Sequence, residues 1–199
     1  ASIACEYLPQ AVGMLLREYP QLQVQIIEGV WDRLAESLMR HEIDLALSVL
    51  VEDTDEIVSD PLCRWQDDAQ IFAAVDHPMR RPGLTLGELR AAAWVSPPRG
   101  TAPHQQLERL FARHGLAAPE LAVETRSIVT IKSLVAHSGF LAWMPNPTMK
   151  AELTAGWVAP LPVPGAQDQR TLTTFRRRGG ILPRPAERLL GLLRAMSAP

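Results

Sequence analysis

SIVTIKSLVAHSGFLAWMP, residues 127–145, decides how this chain folds. Ser127 is suited to cap a helix over residues 128–137. Phe140 to Met144 is then a short apolar run, the pattern of a strand covered on both faces, and Pro145 stops it. Just upstream, residues 120–124 read as another strand. Strand, helix and strand in that order argue for an α/β layout with mainly parallel sheets and right-handed crossovers.

The same alternation extends in both directions. Leu8, Val12, Leu15 and Leu16 recur at helical spacing over residues 5–18, and Pro20 ends that helix. Leu22, Val24 and Ile26 alternate with Gln23 and Gln25, which predicts a half-buried strand running to Glu28. Gly29 turns the chain into a helix with Trp31, Leu34, Ala35 and Leu38 on one face, and Ile43 to Val49 reads as a buried strand. Residues 52–60 are acidic and loop-like, while 61–65 and 69–75 look extended. Thr85 and Glu88 form a capping box for a short helix at 86–91. Residues 93–96 are strand-like, and Thr101 is placed to cap a helix over 102–114 that Gly115 closes. Pro147 and Gly156 bound another helix, and the proline-rich stretch 157–169 looks irregular. A strand over Leu172 to Arg176 and an amphipathic helix at about 184–196 complete the chain.

With 199 residues there is room for one large domain or two lobes of about 100 residues each. Hydrophobic residues make up 47%, enough for a real core, and the net charge of −2 argues against a nucleic-acid surface on this chain. No apolar run approaches the roughly 20 residues that span a bilayer, so no membrane partner is expected. No signal-peptide pattern stands at the start, where Ala1-Ser2-Ile3 reads like the end of a strand. Cys5 and Cys63 are too few and too far apart for a disulfide framework and read as thiols of a cytoplasmic protein.

In open α/β sheets, ligands bind beyond the C-terminal strand ends. Hydroxyls fall at several such places: Ser2 before the first helix, Ser48 at the close of the Ile43–Leu47 run, and Thr101 and Ser127 at helix starts. Free N–H groups and the positive dipole end at a helix start suit a carboxylate or other anion, although each hydroxyl could simply cap its own helix. Arg99 stands in the loop before Thr101 and joins the candidate set. Trp143 is a core candidate that could also stack on an aromatic ligand. No catalytic, metal or cofactor pattern stands out. His41, His77, His104, His114 and His137 make no HExxH or close His/Cys/Asp spacing, and GxSxG, P-loop and GxGxxG motifs are absent. Arg176-Arg177-Arg178 reads as a solvated strand end.

In order and spacing, several short motifs together resemble the regulatory domain of LysR-type transcription regulators. They are Tyr7-Leu8-Pro9, Arg17-Glu18-Tyr19-Pro20, the Val24–Glu28 stretch with Gly29, and Ile43-Asp44-Leu45-Ala46-Leu47. Asp76-His77-Pro78-Met79, Leu134-Val135-Ala136, Met144-Pro145 and Phe175-Arg176-Arg177-Arg178 continue the match across essentially the whole chain. The resemblance implies a two-lobed type 2 periplasmic-binding-protein-like α/β fold, with mixed sheets flanked by helices and two crossover hinge strands. Lobe I would be residues 1–71 plus 172–199, and lobe II residues 72–171. An effector, a small carboxylate or other anion, would sit between lobes against Ser2, Ser48, Thr101 and Ser127. Dimers or tetramers would form through the first helix and the Leu22–Glu28 strand. DNA would be bound only by an N-terminal winged helix-turn-helix that this chain lacks. The sequence departs from the family at Ser138-Gly139-Phe140 and at Trp143, where a small aliphatic is usual. The rival readings are a periplasmic solute-binding protein of a transporter and an enzyme on the same clamp, such as a dehydratase. The enzyme would need a general acid or base, and none stands out.

Overall fold

The computed structural model describes residues 2–29 and 31–197, with side chains from residue 7 onward. Ser2 therefore contributes backbone only, and the readings placed on the Ser2 and Cys5 side chains lie outside the described residues. Contacts divide the chain into two compact units, Ala1–Asp67 with Arg170–Pro199, and Asp68–Gln169. Two long strands, β2 (Ile57–Ala74) and β7 (Gln167–Arg177), run from one unit into the other.

In the first unit, β1 (Ala46–Val49) pairs antiparallel with β7, setting Ala46 opposite Phe175 and Ser48 opposite Thr173. Alternation then assigns the faces. Ala46, Ile57 and Phe175 pack with Leu34 and Leu38 of α2 (Trp31–Met39). Cys63, Trp65 and Leu172 pack with Ala11 and Leu15 of α1 (Ser2–Glu18) and with Leu190 and Leu193 of α6 (Arg184–Met196). Burial pushes the Cys63 thiol up to about 11, so it stays protonated and unreactive.

In the first unit two stretches differ from their sequence patterns. Residues 22–29 form no strand: their N–H and C=O groups join no ladder among the described residues, and Val24 and Ile26 are exposed. The arginine run is not merely a solvated strand end. Arg177 Nη1 donates to Leu38 O at 2.8 Å and Ile43 O at 2.7 Å, satisfying carbonyls where α2 ends. Arg178 donates to Thr54 O.

In the second unit, β5 (Ala142–Pro145) and β6 (Val158–Pro160) lie antiparallel to β2. The expectation of mainly parallel sheets is overturned: among the described residues the one parallel strand pair joins β3 (Trp94–Ser96) to β4 (Leu121–Glu124), with a further parallel bridge from Trp94 to Leu141, and the other pairs are antiparallel. Trp94, Leu141 and Trp143 face the core that receives Leu107, Leu110 and Phe111 of α3 (Ala102–Arg113). Val95, Ala142 and Met144 face the core that receives Ile131 and Val135 of α4 (Ile128–His137). Trp94 is fully buried, edge-on to Phe111 at 5.8 Å, and its indole N–H donates to Leu89 O at 2.7 Å. The predicted helix near 86–91 is a 3-10 turn over Glu88–Ala91, and the helix after Pro147 is another 3-10 turn leading into α5 (Lys150–Thr154).

Candidate functional site

Within the second unit, β3 and β4 run parallel, so both deliver the chain to the same edge. From β3 the chain passes through Pro97-Pro98-Arg99-Gly100-Thr101 into α3, and from β4 through Thr125-Arg126-Ser127 into α4. Arg99, Thr101 and Ser127 thus belong to neighbouring loops. Arg99 joins those loops through Glu124 at the end of β4. Its amide donates to Glu124 Oε2 at 3.3 Å, and its guanidinium lies 3.5 Å from Oε1.

The two helix starts use their hydroxyls differently. Ser127 Oγ accepts from Thr130 N at 3.2 Å, so it caps α4. Thr101 stands at the cap position of α3 with an extended backbone, yet it makes no side-chain cap. Its hydroxyl donates backwards to Pro98 O at 2.7 Å. Pro103 supplies no amide, which leaves Ala102 and His104 as the first-turn N–H groups of a helix without a capping side chain.

Ser48 lies in the first unit, half-buried in β1 on the face shared with α2. Trp143 is only 6% exposed, so its ring is core, but its buried indole N–H has no acceptor. The Trp94–Leu141 bridge sets the register, and two residues further along both strands come Ser96 and Trp143, on the α3 face. Sequence reasoning passed over Ser96, His104 and Glu124. Ser96 Oγ lies 3.5 Å from His104 Nδ1, and His104 Nε2 lies 3.4 Å from Glu108 Oε1. The legible signal was a histidine in the first turn of a predicted helix with a glutamate four residues on. A groove on the outer side of α4, floored by the Lys132–Glu152 ion pair and walled by Val129 and Trp157, contains none of the predicted residues.

No described helix is long and apolar enough to cross a membrane. Among the described residues, no group of three or more His, Cys, Asp or Glu could hold a metal ion.

The regulator GalR of Pseudomonas putida is 28% identical over 189 residues, covering 94% of this chain and 47% of that protein. The SDS degradation transcriptional activation protein of a Pseudomonas species is 29% identical over 197 residues, covering 94% of this chain and 61% of that protein. The chain thus spans about half to three-fifths of the length of these relatives, both named as transcription regulators. Among solved structures, the regulatory domain of Synechocystis CcmR in complex with 2-PG superposes with a TM-score of 0.83 at 18% identity, covering 98% of this chain and 93% of that one. The effector-binding domain of BenM with its effector benzoate gives 0.73 at 20% identity, covering 98% and 88%. These likenesses show the two-lobed periplasmic-binding-protein-like fold that the sequence resemblance implied. The model of the LysR substrate binding domain matches residues 1–198, and this chain belongs to that family.

Proposed function

We propose that this chain is the sensing part of a LysR-type transcription regulator, and that its second unit binds a small anion where α3 begins. The carrying observation is the uncapped α3 start, with two first-turn amides and the Arg99 guanidinium in one loop. Backbone N–H groups at a helix N-terminus favour negative charge, and a guanidinium adds a forked donor for a carboxylate. A structural relative is described with benzoate as its effector, a carboxylate of this kind. Arg99 would exchange Glu124 for the ligand, and Thr101 would turn its hydroxyl from Pro98 O. The indole N–H of Trp143 serves this reading as a hydrogen-bond donor, not as a stacking face. Ser127 contributes by fixing α4, while Ser48 and Ser2 are candidate contacts of the first unit.

The family match favours sensing over delivery to a transporter. Effector binding acts on transcription only through unequal affinity for two arrangements of the subunits. Self-association would use α1 and the 22–29 segment, where Met14, Val24 and Ile26 expose apolar surface. DNA contact would belong to a helix-turn-helix outside these 199 residues, in a cytoplasmic protein.

A thermal-shift screen against aliphatic and aromatic carboxylates, sulfonates and phosphate esters tests the sensing reading. A true effector at 100 times its dissociation constant adds about 2.7 kcal/mol. Stabilisation that survives Arg99→Ala and Thr101→Ala unchanged would remove the anion site from α3.

A further inference from the structure

The α3 start has a buried titratable group directly behind it. His104 is 3% exposed, Ser96 5% and Trp143 6%, all on the α3 face of the strand ends. The imidazole is flanked by Ser96 at Nδ1 and by Glu108 at Nε2. The other ionisable groups of the adjoining elements are Arg109 and Arg113 on α3, Arg99 in the loop and Glu124 at the end of β4, and Arg113 pairs with Asp168. Arg99 and Glu124 pair with each other, and Arg109 bonds Gln105.

These neighbours favour one tautomer. A carboxylate can only accept, so the Nε2 facing Glu108 carries the proton of the neutral ring. Nδ1 is then a lone pair, and the Ser96 hydroxyl must donate to it. In the imidazolium both nitrogens donate. Ser96 Oγ must then accept from Nδ1–H, and its own hydrogen turns elsewhere. One proton taken from solvent therefore converts Ser96 from a hydroxyl turned inward into a donor free for another acceptor. That change happens where β3 gives way to the loop of Arg99 and Thr101.

We propose that His104 is a proton-linked positioning residue of the effector site, coupling anion binding at the α3 start to proton uptake. The inference rests on the anion reading given above. A bound anion favours the imidazolium and the Ser96 donor it releases, so anion affinity rises as pH falls. By linkage, the anion in turn favours protonation of His104.

Sulfate is a suitable probe because its charge is constant across the range in which imidazoles titrate, between about pH 5 and 8. The experiment is a sulfate titration of the whole chain near both limits. Backbone amide NMR reads Ala102 and His104, and imidazole nitrogen shifts read the tautomer. Sulfate should bind at least about fivefold more tightly at the lower pH. Without sulfate, amides from Ser96 to Gln105 should move in step with the His104 ring. His104→Gln keeps a donor and an acceptor but cannot titrate, so its affinity should be flat with pH. Glu108→Gln, altering an exposed side chain, should keep the fold and move the affinity rise to lower pH. Equal wild-type affinities at both limits, or a Glu108→Gln profile identical to wild type, would overturn the proposal. So would a pH dependence that survives in folded His104→Gln. If sulfate leaves the α3 amides unmoved at both limits, the anion site falls. The proton link is then judged by the sulfate-free titration, and amides that ignore the imidazole would overturn it separately.

Discussion

Helices α3 and α4 begin side by side, each just after one of two parallel strands, and each has a hydroxyl residue at its cap position. They solve the same problem in opposite ways. Ser127 turns forward and accepts from Thr130 N, so α4 supplies its own cap. Thr101 turns back to Pro98 O, and Pro103 at the second helical position removes an amide that a cap could have used. The difference lies in which way each hydroxyl turns, since α3 keeps the third-position amide of His104 that corresponds to Thr130 N in α4. One start serves stability, and the other is left with unspent donors. A third start, the 3-10 turn at Glu88, is braced by its own first side chain: Glu88 Oε2 accepts from Thr85 N at 2.9 Å and from its hydroxyl at 2.7 Å.

The contrast breaks most severely if the core under α3 is removed. Trp94→Ala should cost about 3–5 kcal/mol in urea denaturation. The loss should fall unevenly: amide exchange in α3 should quicken more than in α4, because Phe111 and Leu89 O are the partners of that indole. Equal quickening in both helices would mean that the two starts are not independent. The next effect separates stability from binding. Ser127→Ala should cost about 1 kcal/mol of stability, yet change anion affinity by less than about twofold. Arg99→Ala should do the reverse. Its exposed pairing with Glu124 is worth under about 1 kcal/mol, whereas loss of a charge-assisted contact should weaken an anionic ligand about tenfold. A Ser127→Ala variant that keeps its stability but loses the ligand would exchange the roles assigned to the two loops.

Much of this was readable in the chain itself. The helix at 128–137, the cap at Ser127 and the contact between Thr85 and Glu88 follow from local chemistry, because the paired groups lie within three residues of each other, although the short 3-10 helix begins only at Glu88, with Gly87 at its cap position. The family followed from motif order along the whole chain. What stayed hidden depends on distant partners. The alternation of Leu22, Val24 and Ile26 is a strand pattern, but a strand exists only through a ladder, and the sequence does not say whether a neighbour is present. The arginine run reads as solvated until Arg177 is seen against Leu38 O, 139 residues away. At the site, the four hydroxyls looked equivalent because their orientations are tertiary facts. His104 looked incidental because Ser96 reaches it only once β3 packs beneath α3.

The smallest expected effect concerns the third start, and its sign is fixed. The Thr85 hydroxyl and amide, with Arg81 beyond them, hold the Glu88 carboxyl well below the usual carboxylate range, at about 2. A depressed folded value means that the carboxylate contributes stability above the unfolded value of 4.5, and that the contribution fades as pH falls toward about 2. Glu88 is exposed, so solvent screens the effect and the shift in unfolding midpoint should be slight. Glu88→Gln should lie below wild type near neutral pH and converge with it as acid is added, measured as denaturation midpoints across that range. The cost of Ser127→Ala should stay constant over the same range, because a hydroxyl cap has no charge to lose. A Ser127→Ala penalty that shrank in acid alongside that of Glu88→Gln would show that the α4 start depends on a carboxylate after all, and the three starts would need to be sorted again.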